Sequence, residues 1–234
     1  MSHPLDLSRP GFWAQLTWVL RKEAWLEWRT RARAAALFTF ALATLLLFSF
    51  AVGPDAKALA KNASGYLGLA LLLASTLSLS ESMRVERENL ALEGLLLLPL
   101  DARALFVGKA CASAALLLGL SLVLLPLALA LYGISIALGW TQLLSVLALG
   151  SLAISAPGTL YAAIASRARA RDVLLPLLLF PLLVPALLSF SKALRLVFEG
   201  DPMGQLASWR GLLVAFNLVY WSLGFVLFPK VVED

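Results

Sequence analysis

Long apolar runs alternate with short charged segments along this chain. A helix crosses a bilayer with roughly 20 apolar residues, and six crossings can be read. Ala34 to Pro54 is the first and Asn62 to Ser80 the second. Ala110 to Ser166 carries no charge and is too long for one crossing. Tyr132, Gly133, Gly139 and Trp140 break it into two helices that meet at a short turn. Val173 to Ser191 is the fifth crossing and Gly211 to Pro229 the sixth. Backbone polar groups must be paired within the protein in hydrocarbon, which favours helices. Runs such as "LGLALLLA" and "VLLPLLLF" lack the alternation of a membrane β-barrel. The pattern predicts an all-α integral membrane protein. Its parts are a segment at 1–33, a six-helix domain at 34–229 and a tail at 230–234.

Composition agrees with that pattern. The chain is 61% hydrophobic and 14% charged, against about 45–50% and 25% in soluble domains. Fourteen Lys and Arg residues flank one side of the predicted crossings and five the other. The positive-inside rule then puts both termini in the cytoplasm. The net charge of +5 reads as membrane orientation, and no basic patch interleaved with base-stacking aromatics is present.

The first 33 residues are too long before the apolar run to be a signal peptide. Phe12, Trp13, Leu16, Val19, Leu20 and Leu26 share one broad helical face, interrupted by Glu23 and Glu27. Trp13, Trp18, Trp25 and Trp28 also lie here, and tryptophan favours the headgroup level. The segment predicts an amphipathic helix over 11–30, along the cytoplasmic interface. The other reading is a cytosolic extension.

One charged stretch stands out inside the apolar sequence. "RVERENLALEGLLLLP", residues 84–99, holds Arg84, Glu86, Arg87, Glu88 and Glu93. As a helix over 84–96, it places Val85, Leu92, Leu95 and Leu96 on one side, with Glu86 and Glu93 on another. Pro99 ends it, and Asp101 can cap the next helix. The orientation puts the loop at 81–104 in the cytoplasm, where it can dock a partner or stand as a solvated loop. Glu81, at the inner end of the second crossing, is expected at the interface or paired with an arginine.

Chemistry-bearing clusters are scarce. His3 and Cys111 are the sole histidine and cysteine. Cys111 is expected as a small buried residue, and no catalytic constellation, metal site, P-loop or GxSxG appears. Pro157 lies in the fourth crossing, and Pro176, Pro181 and Pro185 in the fifth. These can act as hinges or simply shape the bundle.

The stretches "RKEAWLEWRTRARAAALFTFALATLLLFSFAVGP", "ERENLALEGLLLLPLDARALFVGKA" and "RARARDVLLPLLLFPLLVPALL" resemble the cytochrome c maturation protein B family. Members are permease subunits of an ABC-type heme exporter in the bacterial inner membrane. The resemblance spans about residues 15–229. It implies that two permeases pair with two copies of a separate ATPase subunit (cytochrome c maturation protein A-like), which binds the ATP. It further implies partners in cytochrome c maturation protein C and a small single-span subunit, with heme as substrate of the complex. Glu86, Arg87, Glu88 and Glu93 then form the ATPase-coupling element, and the helix bearing Trp13, Trp18, Trp25 and Trp28 is a second contact region. The chain itself is then non-catalytic, with no stably held cofactor. Two other functions fit the same spans: an ABC-2-type exporter of a lipid, drug or polysaccharide, and a non-transporting scaffold.

Overall fold

A computed structural model describes residues 11–29, 31–88, 101–166 and 171–233. Among these residues all the regular secondary structure is helical. The helices are α1 (Phe12–Arg29), α2 (Arg31–Val52), α3 (Ala56–Glu88), α4 (Ala102–Tyr132), α5 (Trp140–Ser166), α6 (Arg171–Glu199) and α7 (Leu206–Glu233). All except α1 are long and apolar enough to cross a membrane.

The two ends of α4 follow from local sequence. Asp101 is its N-cap, with Oδ1 accepting from the Arg103 N–H at 2.9 Å. At the other end Gly133 takes φ +62° and its N–H returns to the Leu129 carbonyl; glycine allows this left-handed geometry without strain. The connection to α5 is then held by Ala137 and Leu138, whose N–H groups both donate to Val197 O of α6. The predicted break between the third and fourth crossings is therefore present, from Tyr132 to Trp140.

α3 differs from expectation. It runs without a break through Ser80 and Arg84 to Glu88, so residue 84 starts no new helix. "SESMRVERE" contains neither glycine nor proline. Charge ends the stretch that can sit in hydrocarbon without ending the helix. The 33 residues of α3 measure about 50 Å, against ~30 Å of hydrocarbon. The remainder of the proposed 84–96 helix, Glu93 included, lies outside the described residues. Residues 192–210 are likewise mostly helix: α6 continues to Glu199, Gly200 turns with φ +100°, and Asp201 accepts from the Gln205 and Leu206 N–H groups at 2.8 Å to start α7.

α5 sits at the centre, against α3, α4, α6 and α7. Ser155 and Ser166 donate back to carbonyls of their own helix, while Ser151 Oγ and Thr159 Oγ1 are buried without a hydrogen-bond partner. Between helices, Tyr132 Oη donates to Leu45 O at 2.8 Å, and Asn217 Nδ2 to Leu149 O at 3.1 Å. Tyr66 stacks on Phe48 with ring centroids 4.6 Å apart. Tyr66 and Tyr132 thus serve packing. Small residues permit close helix approach: Gly224 of α7 faces the Phe106 ring, and Gly108 of α4 faces Val19 of α1. The outward faces of α2, α6 and α7 expose Leu47, Leu177 and Leu218, as suits contact with lipid.

Candidate functional site

Glu23, Glu27, Arg33 and Lys109 meet where α1 packs on the bundle. This helix packs chiefly on α4. Gln15, Leu16 and Val19 are buried, while Trp13, Trp18 and Trp25 are 76%, 57% and 61% exposed. Phe12 meets the Phe225 ring of α7 edge-on at 6.3 Å. The apolar face assigned to a membrane surface is therefore mainly the face that docks on the bundle. Trp13 is the exception on that face.

This docking explains Glu23 and Glu27. They interrupt the apolar face in sequence, but in space they complete it. Glu23 Oε1 lies 3.2 Å from Lys109 Nζ, whose side chain is only 3% exposed. Ser82 of α3 also accepts from Lys109, at 3.4 Å. Glu27 Oε2 lies 3.4 Å from an Arg33 terminal nitrogen. Arg33 in turn donates to Ser78 O and Ser78 Oγ at 3.0 and 2.9 Å. A buried charge requires such partners to offset lost hydration. The network joins α1 to α2, α3 and α4.

A further contact ties α1 to the start of α4. Gln15 Oε1 accepts from the Asp101 backbone N–H at 2.7 Å. Asp101 is the first described residue after 89–100 and the N-cap of α4. Arg103, two residues on, lies over the Phe225 ring at 5.3 Å.

The predicted site residues fall in several parts of the bundle. Glu86, Arg87 and Glu88 occupy the last turn of α3. Glu93 and His3 lie outside the described residues. Trp28 lies on α1 with Trp13, Trp18 and Trp25. Pro157 lies within α5, and Pro176, Pro181 and Pro185 within α6, all inside continuous helices. Glu81 is half-buried on α3 and has a partner. Cys111 is half-buried rather than fully so; it lines a cavity of about 300 Å³ beside Glu23, Glu27 and Arg33. Sequence reading missed Gln15, Ser78, Ser82 and the paired state of Lys109. Lys109 carried one signal: it is a lone charge at the edge of the long uncharged stretch.

Comparison with known proteins agrees with this architecture. Residues 14–232 match the family described as CcmB protein. The chain is 32% identical to heme exporter protein B of Haemophilus influenzae over 84% of this chain and 89% of that protein. It is 33% identical to the Pseudomonas aeruginosa protein of the same name, over 86% and 89%. The Rhodobacter capsulatus protein of that name is 36% identical over 75% and 82%. The chain therefore belongs to the CcmB family.

Proposed function

We propose that this chain is the membrane-spanning permease subunit of an ABC transporter serving cytochrome c maturation. It transmits motion from ATP hydrolysed on a separate, cytochrome c maturation protein A-like subunit. Heme is the substrate of the complex and is not stably ligated by this chain. Two permease copies assemble with the ATPase, cytochrome c maturation protein C and a small single-span subunit in the bacterial inner membrane. Both termini face the cytoplasm. That orientation rests on the Lys and Arg asymmetry, and it puts α1, the end of α3 and the start of α4 on the ATPase side.

The observation that carries this reading is the joint made by Gln15, Asp101, Lys109 and Glu23. It lets a push on the segment containing Glu86, Arg87, Glu88 and Glu93 reach α1 and α4 as one unit. α1 then supplies a second contact region, with Trp13, Trp18, Trp25 and Trp28 at the headgroup level. Pro176, Pro181 and Pro185 in α6 and Pro157 in α5 remove backbone donors and give the bundle places to bend. Charge reversal tests the coupling. Glu86→Lys with Glu88→Lys should abolish cytochrome c assembly and release the ATPase, while the chain stays in the membrane. Normal assembly in that variant would defeat the docking role.

A further inference from the structure

The cavity beside the charged joint is a half-open cleft of about 300 Å³ between α1 and the adjoining parts of α2, α3 and α4. Its walls are of two kinds. One is charged, with Glu23, Glu27 and Arg33; the other is apolar, with Ala112, Ala115 and Leu116 of α4. Two of the residues that line it each have a buried atom with no hydrogen-bond partner: Glu27 Oε1, an acceptor, and Arg33 Nε, a donor. The two side chains already pair through their other atoms at 3.4 Å. Each unsatisfied atom is buried and therefore costly. One needs a donor, ideally cationic, and the other an acceptor, ideally anionic. A ligand that satisfies both carries an ammonium and a phosphate a few atoms apart.

The apolar wall identifies the group attached beyond the phosphate. Ala115 is exposed, and the exposed face of α4 continues through Gly119, Leu122 and Val123 toward the far side of the bundle. A side chain built at Gly119 would meet nothing within 4 Å. This stripe offers an acyl chain an open, apolar track that begins at the cavity. Trp13, Trp18 and Trp25, exposed on α1, suit the headgroup level at which such a lipid would sit.

We propose that this cavity binds the headgroup of an aminophospholipid, with its ammonium toward Glu27, its phosphate toward Arg33 and an acyl chain along Ala115 and Gly119 of α4. Glu23 is already paired with Lys109 and Lys22, so the preference rests on Glu27 Oε1, which favours a charged ammonium donor over a neutral hydroxyl. The site does not depend on the transport assignment.

Native mass spectrometry of the detergent-purified complex tests the site. Dioleoylphosphatidylethanolamine, dioleoylphosphatidylglycerol and soluble O-phosphoethanolamine are titrated separately. The expected result is one phosphatidylethanolamine retained per copy of this chain under activation that strips phosphatidylglycerol. Ala115→Trp, which fills the apolar wall and leaves the charges intact, should weaken retention about tenfold. Glu27→Gln, which keeps the side chain's shape, should erase the preference between the two lipids. Both variants are compared at equal yield and elution volume with the parent, and either one that purifies suffices. Equal retention of both lipids by the parent, or retention unchanged in these variants, would overturn the proposal. Displacement of the lipid by millimolar O-phosphoethanolamine would overturn its lipid part and assign the cavity to a soluble phosphoamine.

Discussion

Replacing Lys109 by methionine is expected to loosen α1 specifically. Lys109 is 3% exposed and its partner Glu23 12%, so both charges rely on each other more than on water. Removing one partner of a buried pair costs about 3–5 kcal/mol. The low end applies, because Lys22 remains 3.4 Å from the same Glu23 oxygen and is 33% exposed. A loss of about 3 kcal/mol raises the open population of α1 about 100-fold. Amide hydrogen exchange reads such local opening directly. Protection of the α1 amides should fall about 100-fold, while amides in the middle of α5 stay unchanged. Glu23→Gln combined with Lys109→Met removes both charges, and at least half of the lost protection should return. Unchanged α1 protection in Lys109→Met would refute the claim that this pair fastens α1. A uniform fall across every helix would refute its local character.

Three further perturbations check other parts of the account. Gly108→Leu puts atoms where a Cβ alone would lie 2.5 Å from Val19 Cγ1. This overpacking should cost about 1–3 kcal/mol, read as a lower midpoint of denaturant unfolding in detergent, with partial recovery on adding Val19→Ala. Tyr132→Phe removes the hydrogen bond to Leu45 O and should cost only about 0.6 kcal/mol; a loss above about 2 kcal/mol would mean that this contact holds more than two helix ends. Changing Pro176, Pro181 and Pro185 together to alanine should stiffen α6 and lower cytochrome c assembly without dissolving the complex; unaltered assembly would reduce these prolines to shaping the bundle.

The spans were legible because hydrocarbon imposes a length and an absence of charge, both of which are local properties. The break at Tyr132–Trp140 and the Asp101 cap were legible for the same reason, since glycine and aspartate act within a few residues. The end of α3 was not legible, because charge marks the edge of the apolar layer and not a helix boundary. Nothing in "SESMRVERE" breaks a helix. The joint was hidden by distance along the chain. Glu23 and Lys109 are 86 residues apart, and Arg33 and Ser78 are 45 apart. Viewed on α1 alone, Glu23 and Glu27 spoil an apolar face. Only the packed neighbours turn them into its binding groups.

The central claim is that the charged end of this bundle is held by an ATPase of another chain. Mass spectrometry of the proteins that copurify with the tagged chain from mildly solubilised native membranes tests it most directly. The account predicts an ABC ATPase together with cytochrome c maturation partners, and loss of the ATPase when Glu86 and Glu88 are reversed in charge. An ATPase without those partners would move the chain to export of another substrate. An intact preparation with no ATPase would contradict the claim and leave residues 84–99 as a solvated segment.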